Sequence, residues 1–119
     1  MKTHKDLDVW KRSMDLVTAI YRTTRDFPKE EVYGLTNQMR RSVVSIPSNI
    51  AEGASRNSKK EFIQFLYIAL GSVSELETQI LIAQNLAYLQ KSEVFLNNIE
   101  AIKKMLNGLI HSLKKREHK

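Results

Sequence analysis

Residues able to do chemistry are sparse in this chain, and their spacing builds no catalytic centre. The three histidines, His4, His111 and His118, stand far apart, and no Glu has a His three residues after it. The Glu-x-x-His pair of inward-facing di-iron bundles is therefore missing. Cysteine is absent, which removes disulfides and thiolate metal sites. Neither HExxH nor a Walker glycine loop occurs. Glu75 and Glu77, two residues apart, point to different faces of a helix and do not form a carboxylate pair. Glu75 is instead placed to meet a cation of the preceding helix, Arg41 or Arg56, as a structural ion pair. Gly53-Ala-Ser-Arg56 precedes a helix N-terminus, where a phosphate can sit, but reads as an interhelical turn that needs no ligand. His111 reads as a boundary residue of its helix. The expectation is a non-enzymatic chain with no catalytic residue, no metal and no cofactor.

What the sequence does offer is positive charge. The net charge is +6 with a pI near 9.7, and residues 61–90 contain no Lys or Arg at all. The cations fall into two groups, Arg40, Arg41, Arg56, Lys59 and Lys60 in the first and Lys103, Lys104, Lys114, Lys115 and Arg116 in the second. Such groups suit the phosphates of RNA or DNA, bound by charge rather than by base sequence. Arg41 and Arg56 also lie close to a polar helix stripe that can occupy them, which leaves the lysines as the phosphate contacts. Few aromatics are free to stack on bases, and Trp10 reads as a core or interface anchor. A solvated basic surface with no dedicated partner has the same composition. The first apolar residues sit among charges, as in no signal peptide. The apolar run at 62–73 is shorter than the ~20 residues a bilayer requires. A cytoplasmic location without a membrane partner is expected.

These groups must be positioned by helices. Two prolines, four glycines and long 3.5-type periodicities argue for an all-α chain. Four amphipathic segments, roughly 6–26, 35–53, 58–89 and 92–116, joined by short links, predict an antiparallel, up-down-up-down four-helix bundle in one domain spanning 1–119. In the first, Leu7, Trp10, Met14, Val17, Tyr21 and Thr24 form the apolar stripe. In the second, Leu35, Met39, Val43, Ile46 and Ile50 form the core stripe, and Gln38, Ser42, Ser45, Asn49 and Glu52 form an equally regular polar stripe. Small buried polar side chains need partners and permit close helix approach. Pro47 predicts a bend, and Gly53-Ala54 predicts a glycine C-cap. Ser58 and Glu61 read as a capping box, and Ser92 as the next N-cap.

The third segment organises the rest. Phe62, Leu66, Ala69, Val73, Leu76, Ile80, Ala83 and Ala87 alternate in steps of four and three, and apolar residues fill its other faces too. A helix apolar on nearly all sides must be covered on nearly all sides. One protomer is expected to be too small to do so, which predicts a subunit interface using Trp10, Ile63, Tyr67 and Leu70.

The string from Tyr33 to Ala83, with Arg40-Arg41, Ser45-Ile-Pro47, Asn49-Ile-Ala-Glu-Gly53 and Gly71-Ser72 as its most specific parts, resembles the bacterial four-helix-bundle proteins encoded in intervening sequences of 23S ribosomal RNA genes. Ser42 stands where that family's pattern has Ala. The resemblance implies a homopentamer, and a family whose biochemical role is not established. It extends to a related bundle, the accessory protein of diversity-generating retroelements, which implies nucleic acid and a nucleic-acid-processing protein as partners. The other function class compatible with these residues is a protein-interaction or assembly module that binds no nucleic acid.

Overall fold

The computed structural model describes residues 3–117, with side chains through Lys115. It is all-helical: α1 (Asp8–Thr24), α2 (Leu35–Ala54), α3 (Lys59–Asn85) and α4 (Glu93–Glu117), with short 3-10 turns at His4–Asp6 and Lys29–Glu31 and no strand among the described residues. The molecule is a rod of 51 × 22 × 19 Å. α2 and α3 pack most extensively and α1 meets α4 least.

The core follows the predicted stripes of α2 and α3. Met39, Val43, Ile46 and Ile50 meet Leu66, Ala69, Val73, Leu76, Ile80 and Ala83, all removed from solvent. Each fully buried aliphatic side chain of this kind contributes about 1.5–3 kcal/mol. In α4, Ile99, Ile102, Leu106 and Leu113 are buried as their spacing predicts, joined by Ile110, while Phe95 and Leu109 remain at the edge.

In α1 the expected stripe is displaced. The residues facing the core are Val9, Ser13, Leu16, Ile20 and Thr24. Met14 and Tyr21 are exposed, and Trp10, Met14 and Val17 flank a groove against Val44, Pro47, Ser48 and Ala51 of α2. Thr24 belongs to both stripes, whereas the hydroxyl of Ser13 hides it from a reading of apolar residues. Each hydroxyl donates to its own helix, Ser13 Oγ to the Val9 carbonyl and Thr24 Oγ1 to the Ile20 carbonyl, both at 2.7 Å. A hydroxyl satisfied in this way can be buried at little cost.

Local signals at the helix ends are also revised. α1 starts after Leu7 because Thr3 and Asp6 close a capping box around the preceding turn. Ser58 caps α3 by accepting from Glu61 N–H at 3.2 Å, which is half of the predicted box. α3 stops at Asn85. Ala87 enters the left-handed region at φ 62°, and Tyr88 and Ala87 N–H groups close onto the Ala83 and Gln84 carbonyls. Ser92 Oγ donates to Gln84 Oε1 at 2.6 Å, pinning the start of α4 to the end of α3.

α2 runs unbroken through Pro47, and Asn49 Nδ2 donates to the Ser45 carbonyl at 2.8 Å around it. Gly53 is not a cap; it lies inside α2, where a Cβ would stand 2.7 Å from Phe65 Cβ and 3.0 Å from Phe62 Cδ1. It is the point where α2 and α3 approach too closely for any side chain.

α3, read as one continuous helix, is long and apolar enough to cross a membrane by length and composition, a longer stretch than the 62–73 run. Ten of its residues are buried inside the bundle, and 33% of the apolar window is buried.

Candidate nucleic-acid interface

The two cation groups separate and recombine in three dimensions. Arg56 lies 5.2 Å over the Phe65 ring, and Lys114 Nζ donates to Tyr67 Oη at 2.8 Å. Phe65 and Tyr67 are two residues apart on α3, so the end of α2 and the end of α4 share one end of the rod. Lys59 and Lys60, in the first turn of α3, are at that same end and exposed, as is Lys115. Arg116, also assigned to this surface, has its side chain outside the described residues, as does His118.

Arg40 and Arg41 do not join them. Arg40 is structural: its Nε donates to Thr24 Oγ1 at 2.9 Å, its Nη2 donates to the Tyr21 carbonyl at 3.3 Å, and its guanidinium lies 4.6 Å over the Tyr21 ring. Arg41 is exposed in a groove between α2 and α3 that Glu75 and Gln79 also line. Lys103 is neutralised by Glu77 at 2.8 Å and Glu100 at 3.6 Å. The hydrogen bond to Glu77, and then the charges of both carboxylates, raise its ammonium above the ordinary lysine value against the opposing effect of burial. Lys104, one residue on, is exposed.

The ion pair expected for Glu75 is not formed: Arg56 pairs with Glu52 of its own helix at 2.7 Å. An i,i+4 pair needs no tertiary alignment, and this one leaves Glu75 at the groove rim.

The polar stripe divides as well. Ser45 Oγ shares a hydrogen bond of 2.8 Å with Ser72 Oγ across α2 and α3, Asn49 Nδ2 donates to Ser45 Oγ at 2.9 Å, and Ser42 is buried. Gln38 and Glu52, at its ends, are exposed. Ser42, Ser45 and Asn49 are thus a helix-packing device rather than a binding surface.

Of the residues assigned to a subunit interface, Ile63 is 8% exposed and sheltered by its own protomer. Trp10 and Leu70 are half-buried against the core, and His4 packs edge-on to Trp10 at 5.1 Å. Tyr67 is 48% exposed, with Ile68 exposed beside it, and farther along α3 Leu81, Ile82 and Leu86 are exposed too. Gly71 sits on the same face with nothing within 4 Å of a Cβ built on it. Sequence reasoning missed this composition because periodicity ranks apolar positions by spacing, not by which neighbours cover them. It missed Tyr33 as well, a ring 94% exposed beside the α2–α3 groove. Among the described residues no cluster of His, Asp or Glu is placed to hold a metal ion.

Residues 5–108 match the family model of the 23S rRNA-intervening sequence protein. A solved structure from Bacteroides thetaiotaomicron, a protein of unknown function from the S23 ribosomal protein family, is similar with a TM-score of 0.76 and 26% identity over 86% of this chain and 97% of that one. No curated protein matches the chain.

Proposed function

This chain belongs to the 23S rRNA-intervening sequence protein family, and we propose that it works as a non-enzymatic, oligomeric scaffold that touches RNA or DNA through backbone phosphates. The observation that carries the reading is the lysine-rich end of the rod, where Lys59, Lys60, Lys114 and Lys115 are exposed and Arg56 is paired with Glu52. A net charge of +6 supplies the long-range attraction. The protein is cytoplasmic in this reading, and a nucleic-acid-processing protein is its natural second partner.

Pairings that descend one helix as they climb the next (Ser45 with Ser72, Lys103 with Glu77, Lys114 with Tyr67) support an antiparallel, up-down-up-down bundle. The exposed apolar residues of α3, Tyr67 and Ile68 in one group and Leu81, Ile82 and Leu86 in another, support self-association. Five copies is the number implied by the family resemblance. A ring repeats the cationic end five times, and weak phosphate contacts then add through avidity.

The test is a titration of labelled RNA and DNA at several salt concentrations. Log affinity is expected to fall linearly with log salt, and no binding at low salt overturns the reading. The same α3 face favours the alternative, an assembly module without nucleic acid. Self-association by light scattering with no nucleic-acid binding at any salt would establish that alternative.

A further inference from the structure

Where α1 hands over to α2, the chain folds around a cleft of about 410 Å³, within the range of small-molecule sites. Three cations line it: Arg25, Lys29 and Arg40. No carboxylate is among the lining residues. Its wall is therefore positive, with Asp26, Glu30 and Glu31 adjoining the lining residues in the chain rather than lining the cleft themselves.

Two features separate it from ordinary basic surface. Arg40 is fixed in advance by its bonds to Thr24 and Tyr21 and by its stacking on the Tyr21 ring, with its Nη1 donors left uncommitted. Thr36, which also lines the cleft, is 5% exposed, and its hydroxyl has no hydrogen-bond partner among the described residues. Gln79 Oε1 is the one sealed side-chain atom without a partner among the described residues, so Thr36 Oγ1 is instead open to the cleft, where it is free to bond a ligand. Thr36 is also the second residue of α2, so its N–H belongs to the unpaired donors at the helix start, where the helix dipole favours an anion. The Leu35 N–H beside it is already taken by Glu31 Oε1 at 3.2 Å. The remaining wall is apolar, formed by Phe27, Pro28 and Val32.

We propose that the cleft between Arg25, Lys29, Arg40 and Thr36 is a binding site for a phosphate monoester whose organic part lies against Phe27 and Val32. A monoester carries between one and two negative charges near neutral pH, which matches three cations better than a single carboxylate does. A phosphodiester inside a strand would have to thread a concave site, whereas a terminal group can enter it. The monoester is either a free nucleotide or the phosphorylated end of a nucleic-acid strand. The site stands apart from the lysine-rich end, roughly 30 Å away along α2 at 1.5 Å per residue.

The test is calorimetric titration of the full chain with uridine monophosphate against uridine, and with a 5′-phosphorylated oligouridylate against its 5′-hydroxyl form. The phosphorylated probe of at least one pair is expected to bind more tightly than its unphosphorylated counterpart. Arg25→Gln/Lys29→Gln should weaken that probe by about tenfold or more, and the isosteric Thr36→Val by roughly fivefold. Lys59→Gln/Lys60→Gln should weaken both oligonucleotides alike and leave the preference for the phosphorylated member of each pair unchanged. Binding of the monophosphate identifies a free nucleotide as the source. A preference confined to the phosphorylated oligonucleotide identifies a strand end. The proposal is overturned if phosphorylation makes no difference in either pair, or if the Lys59/Lys60 variant erases the preference for the phosphorylated probe as strongly as the Arg25/Lys29 variant.

Discussion

Gly53 and Ala87 show how single residues set this fold. A Cβ on Gly53 would meet the Cβ of Phe65, an atom tied to the backbone that cannot swing aside. Gly53→Ala should therefore force α2 and α3 apart and cost about 1–3 kcal/mol, read as a lower urea midpoint at unchanged slope. Ala87 presents the opposite case. Its left-handed backbone is the place where helices ordinarily end on glycine. Ala87→Gly should raise stability by about 0.5–1 kcal/mol, because the strain of a side chain at positive φ exceeds the entropy that glycine loses. A lower midpoint for Ala87→Gly would mean that the Ala87 methyl contributes packing that outweighs that strain.

At the scale of elements, Glu31 ties two connections together. Its Oε1 accepts from Leu35 N–H at the start of α2, and its Oε2 accepts from Tyr88 Oη at 2.9 Å in the link between α3 and α4. The Phe27 and Tyr88 rings meet at 5.5 Å beside this bond. Tyr88 donates only while protonated, so the bond to Glu31 first, then burial and the charges of Glu31 and Glu30, raise its pKa above the ordinary 10.0. Lys103 is displaced upward as well, chiefly by its bond to Glu77. A group whose folded pKa lies above its unfolded value adds stability below the unfolded value and loses it as pH rises through the folded one. Stability should therefore hold through neutral pH and decline above about pH 10. Tyr88→Phe should start lower and decline less steeply, as followed by urea melts across the alkaline range. An alkaline slope identical to that of the wild type would remove Tyr88 from this account.

For the whole molecule, the decisive feature is what α3 leaves open. Gly71 has empty space around it in the protomer, so Gly71→Ala should stabilise an isolated bundle by about 0.5–1 kcal/mol through helix propensity. If copies pack on this face, the same change should weaken their association, and light scattering would report smaller particles at a given concentration. A charge placed between Leu81 and Leu86 on this face, Ile82→Lys, should abolish association while leaving the fold intact. Nucleic-acid binding by the same preparation would then weaken through reduced avidity. Replacing Lys59, Lys60, Lys114 and Lys115 by Gln should flatten the salt dependence on duplex DNA, by about 0.9 in slope for each phosphate that is no longer neutralised.

The sequence alone determined that this chain is helical, where its four helices lie to within a few residues, and which sides of α2 and α3 form the core. Those properties are written in periods of three and four, and each helix carries them by itself. Only the tertiary structure decided the rest, because it depends on which distant residues become neighbours. Ser13 could join the α1 core once its hydroxyl turned back on its own helix. Gly53 became a contact point because Phe65 folds against it. Arg56 and Lys114, 58 positions apart in the chain, share one end because the first turns of α3 receive both, through Phe65 and Tyr67 on different faces. Periodicity says which residues of a helix face inward together; it carries no information on what stands opposite them, and that is what makes a site.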